Sequence, residues 1–171
     1  MISQHEMLAR GDFSAALAMR DTEESINDEI FRSHGVRRWH GTEDLSGKSI
    51  LVTHQWGLGD CILALRYVRL LGAEQTSVAV PEPLVRLAAG ACDKAYGPVV
   101  PVEWFDFHVP IMRLLGYFDH VPRPPYLRAD VDLVQGFRRS MNGRRRVGIA
   151  WRGNPRHLRD ATRSMTLETM L

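Results

Sequence analysis

Ser49-Ile50-Leu51-Val52-Thr53-His54-Gln55-Trp56-Gly57-Leu58-Gly59-Asp60 carries the architecture of this chain. Ile50 to Thr53 is a short β-branched run, bounded by Gly47-Lys48 before it and a glycine loop after it, and reads as a buried strand. From Asp60 to Leu71 the pattern changes to a helix, with Ile62, Leu65, Val68 and Leu71 three residues apart and Gly72 as the stop. Two glycines between a strand and a helix let the backbone turn tightly and come close to a ligand, with the free N–H groups of the helix start facing it. The dinucleotide fingerprint is incomplete, because Ile62 stands three residues after Gly59 where glycine or alanine belongs. Asp60 admits two roles, a helix-capping carboxylate and a general base at the mouth of a cleft.

Working outward, Ser77 to Val80 reads as a second strand, and a helix follows from Pro83 to about Ala89 with proline near its first turn. Val99 to Val102 and Phe105 to Val109 are short strand candidates, the first weakened by its prolines. Ile111 to Leu115 is a short helix, and Pro122-Arg123-Pro124-Pro125 is an extended crossing segment. Val131 to Met141 reads as a helix ending near Asn142-Gly143, and Arg146 to Trp151 as another buried strand. Toward the N-terminus, residues 3–33 read as helical with a break at Gly11-Asp12; the second piece, Thr22 to Phe31, has Ile26 and Ile30 at i,i+4 spacing and acids in its first turn. Gly35 to Gly47 is a polar connector, with Trp39 as its anchor onto the main domain. Strand and helix alternate, so the expected fold is α/β: a Rossmann-like, mostly parallel sheet with helices on both faces, preceded by a short helical hairpin. In such sheets ligands sit at the carboxyl ends of the strands. That directs attention to the loops after Thr53, Val80, Phe107 and Trp151.

Composition agrees with a globular domain. The chain has 171 residues, 44% hydrophobic and 25% charged, enough for one core and too apolar for a disordered protein. No window holds the ~18 uncharged apolar residues of a membrane span, and Glu6, Arg10 and Asp12 interrupt any signal-peptide core. Cys61 and Cys92 are too few for a disulfide framework or a thiolate zinc site, and free thiols suit a reducing, cytoplasmic compartment. The net charge of +2 is unevenly placed. Residues 1–45 carry nine acids and five bases, whereas residues 138–163 carry nine arginines against Asp160 alone. Arginine's planar fork suits phosphate and carboxylate recognition, so the C-terminal stretch is either an anion site or a solvated basic face.

The loop from Trp151 to Ser164 follows a strand candidate and opens with the turn signature Gly153-Asn154-Pro155. Its arginines, His157 and the hydroxyls of Thr162 and Ser164 suit a phosphate or diphosphate. His108, in Phe105-Asp106-Phe107-His108, falls at a strand end, where it either lines the cleft or is a hydrogen-bonded structural histidine. No metal-ligand spacing appears among the histidines, and neither a phosphate-binding G-x-x-x-x-G-K-[ST] loop nor a G-x-S-x-G elbow is present.

Six stretches lie in a recognisable order: Arg10-Gly11-Asp12-Phe13; Leu45 to Val52; Gly57-Leu58-Gly59-Asp60 with Arg66-Tyr67; Phe105 to Pro110; Pro125-Tyr126-Leu127; and Val147 to His157, continuing to Asp160 and Arg163-Ser164. Together the chain resembles the bacterial tetratricopeptide-linked glycosyltransferases related to the lipopolysaccharide heptosyltransferases, a glycosyltransferase family 9-like group of GT-B fold. The resemblance implies a transferase of two Rossmann-like domains, with a glycan or protein acceptor on the N-terminal one and a nucleotide-sugar on the C-terminal one. It implies that Asp60 deprotonates the acceptor hydroxyl, with Gly57, Gly59 and His108 beside it. Asn154, His157, Arg163 and Ser164 would border the donor phosphates, with no metal and no cofactor other than the donor itself. Two departures stand out: Gln55-Trp56 and Leu63 replace polar residues of the family pattern, and Met112-Arg113-Leu114-Leu115 replaces Leu-Ser-Leu-Pro.

The expected division is 1–45, a tetratricopeptide-like hairpin and connector; 46–145, the acceptor-side domain; and 146–171, the start of a donor-side domain. A whole second nucleotide-binding domain of at least ~100 residues does not fit in that last span. Glycosyl transfer needs donor and acceptor held together, so the chain is expected to be the acceptor-side half, inactive alone: either a truncated or decayed relative or a piece completed by a second chain that supplies the donor domain, with an unpartnered terminal strand at Arg146–Trp151 favouring a homo-oligomer. Two other classes compete with it. An Arg-rich nucleic-acid-binding protein would use residues 138–163, although only Trp151 interrupts the cluster to stack on bases. A nucleotide-cofactor enzyme of the methyltransferase or dehydrogenase kind would place an acid after the second strand to hold ribose hydroxyls, where Glu82 is the candidate.

Overall fold

A computed structural model describes Arg10, residues 26–141, Gly143, residues 146–155 and residues 160–170. The chain divides into two compact units, residues 1–129 and 130–171. The expected boundary at 145/146 thus lies beyond the observed one, and the helix after Ala129 goes with the second unit.

The first unit is built on a five-stranded, all-parallel sheet in the order β1-β5-β2-β3-β4. The strands are β1 (Arg37–Arg38), β2 (Ser49–Thr53), β3 (Gln75–Ala79), β4 (Lys94–Tyr96) and β5 (Phe107–Pro110). In chain order the helices are α1 (Ile26–Ser33), α2 (Leu58–Ala64), α3 (Val85–Ala88), α4 (Leu114–Tyr117), α5 (Val131–Met141), α6 (Asp160–Arg163) and α7 (Leu167–Met170). The expected class, α/β with a covered parallel sheet, is therefore present. β2 is the central strand, and Ile50, Leu51 and Val52 are all buried, as a parallel strand covered on both faces requires.

Alternation along β2 divides the core. Ile50 and Val52 join Val78, Phe107 and Val109 in the larger cluster, with Cys61, Ala64, Leu65 and Val68 from α2 and the turn after it. Leu51 faces the other way, into a smaller cluster with Phe31 of α1, Val36 and Phe105. At the start of the sheet, Ser49 and Asp106 clamp β2 to β5: the Ser49 N–H and hydroxyl both donate to Asp106 Oδ2, at 2.8 and 2.9 Å. Those two bonds hold the Asp106 carboxyl below its usual range.

Several elements depart from the sequence reading. The helix expected over Asp60–Leu71 begins two residues earlier and tightens to a 3-10 turn over Leu65–Leu70, with Gly72 at φ +65° after it. Val99 to Val102 is not a strand: Val99 is 88% exposed, and a 3-10 turn occupies Val102–Trp104. β1 and β4 escaped notice because Arg37-Arg38 and Lys94-Ala95-Tyr96 carry no apolar run. They pair only because a neighbouring strand offers unused backbone groups: Arg37 N–H donates to Asp106 O at 3.0 Å and Trp39 N–H to His108 O at 2.9 Å. The connector is thereby drawn into the domain, and Trp39 is buried edge-on against Tyr117.

The second unit holds α5, α6 and α7. α5 spans the residues expected of it, but Arg146 to Trp151 is irregular chain rather than a buried strand, with Val147 89% exposed and Trp151 O accepting the Met165 N–H at 3.0 Å. An alternating Val-Gly-Ile-Ala-Trp run needs a neighbouring strand to become one, and no strand occurs among the described residues of this unit. The first expected N-terminal helix and the Arg10–Phe13 motif, apart from Arg10 itself, lie outside the described residues.

Candidate functional site

The sheet order defines the site. From β2 the chain steps to β3 and β4 on one side, then returns to add β5 on the other. The carboxyl ends of β2 and β5 therefore flank the point where the winding reverses, which is where open α/β sheets bind ligands.

The β2–α2 loop lies at that point. His54 N–H still follows the ladder, donating to Ala79 O at 2.9 Å. Trp56 then adopts φ +67°, a left-handed conformation uncommon for a bulky residue and costing on the order of 1 kcal/mol. Gly57 caps α2 with extended backbone. Asp60 is the third residue of the helix, and its Oδ2 accepts the Gly57 N–H at 3.0 Å. The capping role of Asp60 is thus in place. A Cβ on Gly57 would stand 3.1 Å from that same oxygen, so the small residue admits the carboxylate. Nothing lies within 4 Å of where a Cβ of Gly59 would be, which leaves open space above the turn. Asp60 itself is exposed, so a carboxylate held in place by a backbone donor faces solvent at the switch point.

On the α1 side, at the carboxyl ends of β2, β3 and β4, lies a cavity of about 450 Å³. Its lining is largely apolar, with Phe31, Leu51, Val80, Pro98, Val100 and Val102 among its walls. His54 also lines it, and its Nε2 is buried without a hydrogen-bond partner, as is Oε1 of Gln55.

His108 is not at the mouth of the Asp60 loop. It occupies the interior of β5, in register with Leu51, 2% exposed, and stacks on Phe31 with ring centroids 4.1 Å apart. Its Nε2 lies 3.6 Å from Asp28 Oδ1, while Arg38 donates to Asp28 Oδ2 at 3.0 Å. Burial pushes the imidazole down to about 4; Asp28 opposes that shift, and Arg38 and His40 add to it. His108 is therefore neutral near pH 7 and serves packing. Its partners Asp28 and Arg38 went unnoticed in the sequence, where a helical acid and a connector arginine carry no sign of meeting.

Asn154, Arg163 and Ser164 lie in the second unit. The Ser164 hydroxyl accepts the Gly153 N–H at 2.9 Å and donates to Asp160 Oδ1, folding the Gly153-Asn154-Pro155 turn back onto α6. Ser164 is thus engaged in holding its own loop, while Asn154 and Arg163 are exposed. His157 lies outside the described residues. Arg139 and Arg146 turn onto carbonyls of α5, those of Gln135 and Ser140.

Burial lifts both thiols, Cys61 and Cys92, to about 11, which leaves them protonated and unreactive near neutrality. Among the described residues no group of three or more His, Cys, Asp or Glu is placed to hold a metal ion, and no helix is long and apolar enough to cross a membrane. No family model, no curated protein and no solved structure matches this chain.

Proposed function

We propose that this chain is the acceptor-side half of a glycosyltransferase-like protein of GT-B type, working in sugar transfer when a second lobe supplies the nucleotide-sugar. The observation that carries the reading is the placement of Asp60. It is an exposed carboxylate at the switch point of a parallel sheet, oriented by the Gly57 N–H, with open space over Gly59. Such a carboxylate can accept the proton of an incoming sugar hydroxyl through its second oxygen while the first stays on the cap. The resemblance of six stretches of the sequence to those of the tetratricopeptide-linked transferases supports the same assignment. The reaction would move the acceptor oxygen onto the anomeric carbon as the diphosphate departs, and that step needs both substrates aligned. The acceptor is a glycan or a protein, and the donor lobe is contributed by another polypeptide or by further chain.

Calorimetric titration with a panel of oligosaccharides and nucleotide-sugars tests this reading. Saturable glycan binding is expected, weakened about tenfold or more in Asp60→Ala, with no turnover of nucleotide-sugars by this chain alone. Efficient transfer by the isolated chain, or glycan affinity indifferent to Asp60, would remove the proposal.

A further inference from the structure

The helix α5 plays no part in the Asp60 chemistry, and its exposed surface carries two features that point to one kind of partner. We infer that α5 docks on an anionic lipid bilayer, laying Leu133, Phe137 and Met141 among the acyl chains and its arginines on the lipid phosphates.

The first feature is an apolar stripe. Leu133, Phe137 and Met141 stand four residues apart and so share one face of the helix, with the half-buried Val134 beside them. Phe137 is 62% exposed and Leu133 44%, and Val131, three residues before Val134, widens the apolar surface at the helix start. The opposite face carries Asp132, Gln135 and Arg139. A helix divided in this way suits the boundary between an apolar and an aqueous phase.

The second feature is charge. Arg138 and Arg139 are exposed in the last turn of α5, and Arg146 turns back to donate to Ser140 O at 3.1 Å, which brings charge from beyond the helix against its end. From Val131 to Arg146 the sequence sets five arginines, at 138, 139, 144, 145 and 146, against Asp132 alone. The arginine fork matches phosphate, and a basic cluster of this size beside an amphipathic helix is suited to anionic lipid.

Other occupants fit less well. A second copy would set arginine against arginine, because residues 130–171 carry nine of them against Asp130, Asp132, Asp160 and Glu168. The stripe presents on the order of 300 Å², well short of the ~800 Å² that each partner gives to a stable protein complex. A bilayer needs only a few inserted side chains, with the arginines adding the remainder. Nucleic acid would match the arginines but leave the stripe in water, with Phe137 the one aromatic of α5 to stack on bases. This inference is independent of the acceptor reading, since it uses neither Asp60 nor the loop around it.

Co-sedimentation of the chain with lipid vesicles tests it. Binding is expected to vesicles of equal parts phosphatidylcholine and phosphatidylglycerol at about 0.05 M salt, and should be roughly tenfold weaker or more on pure phosphatidylcholine or at about 0.5 M salt. Leu133→Ser combined with Phe137→Ser should lower the partition coefficient about tenfold or more. Arg138→Gln combined with Arg139→Gln should lower it about fivefold for each arginine removed. All four side chains are exposed, so these variants keep the fold. Equal binding to both vesicles, no binding to either, or binding that needs the arginines but ignores the serine pair, as a nucleic-acid face would show, overturns the assignment. So does a lipid-free dimer that the serine pair converts to monomer, which gives the stripe to a second copy. Glycan binding dependent on Asp60 would survive each of those failures.

Discussion

Single residues set the local geometry, and Gly41 and Gly35 show how differently two glycines can do so. Gly41 has φ +94°, and a Cβ there would stand 2.8 Å from Cγ of Tyr117, the ring that meets Trp39 edge-on. Gly35 has φ +75°, with nothing within 4 Å. Gly35→Ala should therefore cost only the left-handed strain, about 1 kcal/mol, and Gly41→Ala roughly 2–3 kcal/mol because the half-buried Tyr117 ring, packed against the core, must also move. Urea melts of the two variants measure the difference; equal losses would mean that the Tyr117 ring yields freely. Asp60 was readable in the sequence as a carboxylate at a helix start, since Gly-x-Gly-Asp after a β-branched run leaves few alternatives. His54 was not, because whether a strand-end histidine finds a partner depends on the walls that surround it.

Elements decide how those residues are used, and α1 and β5 together bury His108. The fold keeps its imidazole neutral, with the proton affinity down at about 4 against a usual 6.5. As pH falls below 6.5 the unfolded chain takes up the proton first, so stability is complete above that pH and declines as pH falls toward 4. The expected loss is on the order of 3 kcal/mol, with Asp28 working against it and Arg38 and His40 adding to it. Chemical denaturation from pH 7 to 4 should show that slope, and His108→Gln should flatten the difference; a variant with the wild-type slope would show that His108 does not carry it. Asp28→Ala leaves the part-buried Arg38 guanidinium without the carboxylate it donates to, and should cost about 2–4 kcal/mol. β1 illustrates why such elements are hard to read: two arginines become a strand only because β5 presents an open edge.

At the scale of the whole molecule, burial among the described residues is confined to one of the two units. No described residue of 130–171 is buried, and α5 exposes Leu133, Phe137 and Met141 along one stripe. Hydrogen exchange should therefore find the amides of Val131–Met141 exchanging orders of magnitude faster than those of Ile50–Thr53 and Ser77–Ala79, which open only with the core. Comparable protection in both would mean that residues 130–171 have a core of their own. By itself the sequence determined the α/β class, the central strand over Ile50–Thr53, the glycine turn into a helix and the helix over Val131–Met141. Each of these rests on local hydrophobic periodicity and on glycine's backbone freedom, which neighbouring residues carry with them. Only the tertiary structure decided the strand order, the recruitment of β1 and β4, the burial of His108 against Phe31, and the failure of Arg146–Trp151 to pair. Those outcomes turn on which backbone edges and apolar faces remain open after distant segments have packed, and no short window of sequence holds that information.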